Sequence, residues 1–485
     1  MMGQIYASAS RVIVWLGQSH PVADSAFTYM TALAEARRNA QAPPDERTIK
    51  QGLRDVLAIL ASPWFHRTWV IQEAALGRRV SFSYGNHEID LDIFEKFVWA
   101  IWTVVPFWDI YDDEKDPPVL GLYSVTRTLQ IRRRYHQDGA VALEVLLEAA
   151  FFVGVTDRRD SVFAFMGICD GETRALMPKP DYRIVVDGHD PEYQDSVDAV
   201  FMDLSTSLLC SGRSLDILAL AGICRPRPAG FPSWAIYVRY RDDVNAPFAC
   251  CEPAGWDAGG HLQCKPTLGP SKRLQVTGRV LDEVHHLSEP FDVFEDLSKH
   301  KQRLHTVLNS WQRTRCSSRD DHQNQLALDL VLGLDIQDGI AGPEVVTQFK
   351  EYLTWLERQT NSIDSKVDDG SGVGTSHDDA TNQYHQHFLT QTGGWLVFFT
   401  KGGHLGIGTS VIEKGDVVAI IPGCRLPLVL RKTPETGEST VLNMGNAGGS
   451  YPGTWVVVGW CYLRDMMRAK GDLGTDIKDV VFILE

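Results

Sequence analysis

Cysteine is scarce in this chain, with 9 in 485 residues, at positions 169, 210, 224, 250, 251, 264, 316, 424 and 461. The number is odd, and most stand alone inside apolar segments. That argues against a disulfide framework and for reduced, buried thiols in an intracellular, cytoplasmic protein. Long apolar runs are missing as well. The most apolar stretch, residues 145–155, carries Glu148 and falls short of the roughly 18 residues that a membrane-spanning helix needs. The opening MMGQIYASASRV has no apolar core of a secretory signal. Positive charge is in deficit: 47 Lys and Arg against 62 Asp and Glu give a net charge of −15. A chain so acidic is poorly suited to broad contact with nucleic-acid phosphates. No Gly-x4-Gly-Lys-Ser/Thr loop and no Gly-x-Ser-x-Gly elbow occurs, so neither a P-loop engine nor that type of serine hydrolase is indicated.

What is present is a globular composition, 44% apolar, 22% charged and 10% aromatic. The length suits two to three domains. Residues 2–9 read as the end of a helix. Residues 11–17 (RVIVWLG) follow as a continuous apolar strand, a pattern expected in the interior of a sheet, usually a parallel one. Helical spacing covers 23–40 and 48–61, the latter with Ile49, Leu53, Val56, Leu57 and Leu60 on one face. Ser62-Pro63 stops that helix. A short helix ends at Gly77, a common residue after a helix C-terminus. Strand alternation at 79–84, helices from Asp90 to about 105, at 120–135, 140–152, 156–167 and 191–210, and an apolar strand at 215–220 complete an α/β or α+β domain to residue 235. Residues 236–360 read as a variable helical and irregular region with a strand at 274–280 and a helix at 343–358. Residues 361–382 are polar and read as a disordered linker or loop. From 383 to 485 about five short strands with glycine turns, including Lys401-Gly402-Gly403, predict a small antiparallel β-rich domain.

Several ordered blocks carry a family resemblance. They are Ile5-Tyr6-x-x-Ala9-x-Arg11-Val-Ile-Val-Trp15-Leu16-Gly17 and Pro63-Trp-Phe-x-Arg67-x-Trp69-Val-Ile-Gln72-Glu73-x-Ala-x-Gly77. Thr156-Asp157-x-Arg159-Asp160-x-Val-Phe163-Ala-x-x-Gly167, Pro180-Asp181-Tyr182 and Pro232-Ser233-Trp234 follow in order. Near the end come Gly406-x-Gly408, Gly415-Asp416, Gly423-x-Arg425-x-Pro427-x-Val-Leu430-Arg431 and Gly459-x-x-Tyr462. Together they cover about half the chain and resemble the fungal heterokaryon-incompatibility (HET) domain family, the last set its β-rich C-terminal region. The family domain normally opens with a strand block and a Trp-Ile-Asp-x-x-Cys block that this chain lacks, which implies an N-terminally incomplete domain. Ala235-Ile-Tyr-Val238 also stands where members usually continue with Val-Pro-Asp-Trp, and Trp460 where an acidic residue is common.

Within these blocks Trp15, Gly17, Arg67, Trp69, Gln72, Glu73, Asp157, Arg159 and Asp160 are the motif residues. Glu73 is the leading carboxylate for catalysis, able to stabilise positive charge developing on a ribose. Its structural alternative, which is favoured, is a salt bridge with Arg67, Arg78 or Arg159. Asp157 reads as a helix cap and Asp160 as a first-turn acid. Arg159 reads as a phosphate or carboxylate binder, or, in preference, as a strut to the Glu73 segment. His385-x-His387, His285-His286 and Cys250-Cys251 with Cys264 lack zinc spacing, so no metal is expected. Gly370-x-Gly372-x-Gly374 has no flanking strand and helix, so no dinucleotide cofactor is expected either. Trp99, Trp102 and Trp108 read as core on an amphipathic helix, with an aromatic interface as the alternative.

The resemblance implies non-self recognition in filamentous fungi, with the HET domain triggering cell death through association with protein partners, itself included. Nucleic acid and a membrane span are not expected among its contacts. A distant similarity of such domains to Toll/interleukin-receptor-type domains implies a second reading, an NAD(P)-cleaving glycohydrolase. An inactive, truncated member is the third.

Overall fold

In the computed structural model the chain is described except for residues 1, 19–21, 39–45, 105–116, 185–190, 225, 240–254, 261–263, 293–294, 315–318, 336–339, 365–382, 435–449 and 469–478. Most of the segment read as a linker, the three glycines at 370–374, Trp108, and Cys250, Cys251 and Cys316 lie outside the described residues. The chain divides into two compact units, residues 1–200 with 238–244, and residues 201–237 with 245–485.

The first unit begins with α1 (Met2–Ser8) and β1 (Val12–Gly17), then α2 (Ala23–Arg38), α3 (Glu46–Leu60) and α4 (Trp69–Leu76). Strands β2 (Val80–Tyr84) and β3 (His87–Asp90) follow, then α5 (Leu91–Val104), α6 (Pro117–Asp138), α7 (Leu143–Ala149), α8 (Asp160–Phe163) and α9 (Gly171–Leu176). The sheet order is β1-β2-β3. β1 runs parallel to β2, with Val12 opposite Val80 and Val14 opposite Phe82. β3 returns antiparallel through a tight turn at Gly85, whose φ of 58° suits glycine. The predicted apolar face of α3 is buried at Leu53, Val56, Leu57 and Leu60. Phe82 from the sheet and Phe94 from α5 meet at 4.8 Å between ring centroids, and Phe65 stacks on Phe82 at 5.7 Å.

Two expectations are corrected here. β1 is not an interior strand: among the described residues it pairs only with β2 and forms one edge of the sheet. Val12 and Val14 are buried, but Ile13 is 59% and Trp15 63% exposed. One face meets the helices and the other meets solvent, so continuous apolarity does not translate into two-sided burial. Gly77 does close α4, but with a φ of −64°. Left-handed geometry is not what calls for glycine there. A Cβ would stand 2.8 Å from Val80 Cγ2 and 2.9 Å from Val12 Cγ2.

α10 (Pro191–Ser211) runs from the first unit into the second. The second unit continues with α11 (Ile217–Ile223), β4 (Thr267–Leu268), β5 (Leu274–Leu287), α12 (Leu297–Thr314), α13 (Arg319–Asp329), α14 (Pro343–Asp364) and α15 (Gln383–Thr392). Then come β6 (Trp395–Thr400), β7 (Leu405–Thr409), β8 (Val417–Ile420), β9 (Leu428–Lys432), β10 (Ser450–Tyr462) and β11 (Asp479–Leu484). Neighbour pairing closes a circuit β5-β6-β7-β10-β9-β8, a barrel, with β11 and β4 added beside β5. The long strand β5 serves three partners in succession: β11 along 274–279, β8 along 279–283 and β6 along 284–287. All pairs are antiparallel except β10 with β11. Val284, Leu396, Phe398, Val418, Val429 and Val458 form a buried cluster of this barrel.

The apolar run read as a strand at 215–220 is instead the helix α11, in which all of Ile217–Ile223 is buried. With Asp216 its one polar residue, so short a run carries no periodicity to separate strand from helix. Its burial on every side explains why no polar face marks it. Gly222 lets it touch β10: a Cβ there would lie 2.3 Å from Gly459 Cα.

Candidate functional site: the motif junction

In the first unit the motif blocks meet where α1, α4 and the segment of α8 come together. α4 points the adjacent Gln72 and Glu73 about 100° apart, while Trp69, one turn earlier, lies between their directions. Trp69 Nε1 donates to Asp160 Oδ2 at 2.9 Å. Tyr182 OH donates to the other oxygen, Oδ1, at 2.6 Å. Gln72 is buried, and its Nε2 donates to the Ala164 carbonyl at 2.8 Å. Gly167 leaves room for it: a Cβ would sit 2.7 Å from Gln72 Nε2 and 3.3 Å from Gly3 of α1. Behind α4, Thr68 N–H donates to Gly154 O at 3.1 Å and Gly154 N–H to His66 O at 2.6 Å. The second and third motif blocks are therefore cross-linked by the Trp69 and Gln72 side chains, and the backbone at Gly154, just before the third block, is tied to the second.

Arg159 is 1% exposed and fully engaged. Its Nε and Nη2 hold Asp157 at 2.9 and 2.6 Å. Nη1 donates to Asp181 O at 3.0 Å and Ser196 Oγ at 3.1 Å, and Nη2 to Ile184 O at 2.9 Å. The Tyr182 and Tyr193 rings lie 5.3 Å from the guanidinium carbon. The hydrogen bonds it donates to Asp157 hold the guanidinium more firmly charged than usual. Asp157 also accepts the Arg159 backbone N–H at 3.0 Å, but it is not the helix cap expected of it: Arg159 holds the cap position of α8, without a side-chain capping bond. Asp160 opens α8 as its first-turn acid. Arg159 is a strut, but not to the Glu73 segment: it ties its own turn to residues 181–184 and to α10. The link to α4 comes from Trp69 and Gln72. With its donors taken, Arg159 has no fork left for a phosphate.

Glu73 is different. It is half-buried, and its Oε2 accepts from Trp64 Nε1 at 3.2 Å. Burial, then the neighbouring Glu73 carboxylate, raise the pKa of Tyr6 on α1, with the Arg67 charge opposing. Tyr6, Trp64, Glu73 and the exposed Arg67 thus form one polar group at the junction's margin. The salt bridge of Glu73 to Arg159 does not form, because Asp157 occupies that guanidinium. Trp15 and Gly17 stand apart on the β1 edge. Gly17 has a φ of 149°, and a Cβ would meet the Tyr84 ring at 2.9 Å. Tyr6, Tyr182, Tyr193 and Ser196 carry roles that sequence reasoning missed. The first two lie inside the quoted blocks, and their phenol groups were the available signal.

The later blocks also act as joints, within the second unit. Ser233 N–H donates to the Glu485 carbonyl at 2.9 Å, and Val457 N–H to Ser233 Oγ at 3.0 Å. Trp234 is fully buried and donates to Lys272 O at 2.9 Å. Arg425 Nε binds the buried Asp216 at 2.6 Å, and Arg431 Nε binds the buried Asp416 at 2.8 Å. Among the described residues no cluster of three or more His, Cys, Asp or Glu stands ready for a metal. No described helix is long and apolar enough to cross a membrane. Trp99 is half-buried beneath Arg133, 5.1 Å from ring to guanidinium carbon; the side chains of Trp102 and Trp108 are outside the described residues.

An α/β unit whose motif residues join its elements, followed by a closed barrel flanked in sequence by helices, defines a two-module protein with an α/β head and a β-barrel tail. Residues 1–73 match the family model described as Heterokaryon incompatibility protein (HET), and residues 349–451 match the Het-6 beta-barrel domain. A curated relative, "Heterokaryon incompatibility protein 6, OR allele" of Neurospora crassa, is 22% identical over 537 aligned positions. The match covers 92% of this chain and 76% of that one. No solved structure matches. The two model matches and this relative together support a fungal HET-domain protein with a Het-6 barrel.

Proposed function

We propose that this protein acts in heterokaryon incompatibility, as an effector that triggers programmed cell death through association with protein partners. The observation that carries the reading is the pairing of a HET match with a Het-6 barrel match in one chain. The relative's printed name supports it. The geometry of the motif residues suits a binding scaffold: Trp69, Gln72, Asp157, Arg159 and Asp160 are occupied with one another and with backbone. An effector of this type acts through its surfaces, and a cytoplasmic location fits that role. Expression of the full chain in a filamentous fungus tests the reading. Growth arrest or death is expected, and normal growth with soluble protein present would sink it.

One observation favours a second reading. Glu73 is half-buried at the margin, beside Tyr6 and Trp64. A carboxylate so placed suits stabilisation of a ribosyl cation, as in cleavage of NAD. Purified protein given NAD would then release nicotinamide, and Glu73→Gln would abolish release. Absence of release by the folded protein rejects this reading.

A further inference from the structure

The helices α12, α14 and α15 enclose a group that the motif blocks do not include. His300 of α12 is 1% exposed. Its ring lies 5.2 Å from that of His385 on α15, and the two are nearly perpendicular. Phe291 and Phe388 flank His300 at 5.3 and 5.1 Å. Tyr352 of α14 stacks on His385 at 5.3 Å and offers its hydroxyl to His385 Nδ1 at 3.2 Å, and Trp355 lies at 5.7 Å. His300 Nε2 is buried without a hydrogen-bond partner. Two imidazoles on two helices therefore share one aromatic box.

We propose that the His300–His385 pair is an acid-sensitive clasp, whose protonation separates α12 from α15 and opens this helical layer before the barrel unfolds. A buried imidazolium has lost its hydration, and His300 Nε2 has no acceptor to replace it. The charges it meets are of the same sign: His385 across the box and Arg303 one turn along α12. Arg303 is itself paired with Glu289 and Glu295, so those carboxylates are already engaged. From α14 the facing titratable group is Tyr352, and behind it on α15 is Tyr384, stacked on Tyr352 at 5.4 Å. His387, two residues along α15, faces Asp335 instead. Burial holds both members of the pair neutral, below the ordinary imidazole range. The neutral pair thus favours the closed layer above the unfolded-state value, and that contribution is lost as pH falls.

Hydrogen exchange of the full chain, stepped from neutral pH to about pH 4 and corrected for intrinsic rates, tests this. Amides of α12 and α15 should lose protection at least tenfold in one step while β8 and β9 keep theirs. His300→Phe, which suits the aromatic box and cannot protonate, should lower the midpoint of that step by half a pH unit or more. An unchanged midpoint in His300→Phe, or simultaneous loss of helices and strands, would overturn the proposal. If the variant does not fold, ring-proton NMR of the unmodified protein decides: His300 titrating below its ordinary range supports the clasp, and ordinary titration overturns it.

Discussion

Replacing Arg159 by methionine separates the two readings of the best-placed motif cation. Methionine is similar in length and apolar, so the cavity is small and the loss is electrostatic. Asp157, only 7% exposed, would keep its charge and lose both guanidinium bonds. The Asp181 and Ile184 carbonyls would lose their donors as well. Removing one partner of a buried ion pair costs about 3–5 kcal/mol, because the other charge stays buried and uncompensated. In a unit of this size each kcal/mol shifts the melting midpoint by about 2–4 °C. Calorimetry or urea unfolding of the full chain should therefore show a fall of about 6–20 °C, or an equivalent loss of stability. Arg159→Lys should fall between, since a single ammonium cannot serve Nε and both Nη positions. The double change Asp157→Leu with Arg159→Met should recover part of the loss, because no charge is left stranded. Recovery stays incomplete, as Asp157 also accepts the Arg159 backbone N–H. If Arg159→Met melts within about 1 °C of the parent, the strut is wrong and Arg159 exists for a ligand.

Gly222→Ala should destabilise the second unit by about 1–3 kcal/mol, because its Cβ would overlap Gly459 and α11 must move off β10. Gly171→Ala, where nothing lies within 4 Å, is the matched control, and equal melting of the two would refute the close approach. Trp15→Lys should change stability by less than about 0.5 kcal/mol by urea unfolding, since the ring is 63% exposed. A large loss of stability would mean the ring is covered. His385 and His387 are both lowered to about 4 by burial. A base whose folded value is depressed gives stability that is present above about 6.5 and lost as pH falls toward 4. Chemical denaturation at pH 7 and at about 4.5 should differ by about 2 kcal/mol for each of them; stability that rises on acidification would refute it.

Much of this architecture could be read from residue spacing. The apolar face of α3 was visible because Leu53, Val56, Leu57 and Leu60 recur at helical intervals. The hairpin at Lys401-Gly402-Gly403 was visible because Gly403, at a φ of 82°, occupies the position that only glycine takes easily. β1 and α11 were not legible, for one shared reason. Both are short runs without polar residues, and periodicity needs contrast. The exposed face of β1 and the all-round burial of α11 are set by partners far away in sequence. The barrel's strands were legible singly, but not its closure, which depends on β5 bending past three partners.

The motif acids were legible as a set but not in their connections, and the difference is instructive. Asp157 and Asp160 stand three residues apart, yet one neutralises Arg159 while the other collects Trp69 and Tyr182 from segments 91 and 22 residues away. Local sequence fixed their place at the start of a helix; it held no information about which distant donor each would receive. The same holds for Ser233, whose partners Val457 and Glu485 lie more than 220 residues on. A residue that joins distant segments produces a recurring block without needing any chemistry of its own. Glu73 differs in burial rather than in reach. Its partners are Trp64, nine residues before it, and Tyr6 of α1, and all three side chains are half-buried. A half-buried carboxylate held by half-buried partners costs less stability when replaced than the buried, charge-paired Asp157, so a substitution at Glu73 should separate function from stability more cleanly than one at Asp157.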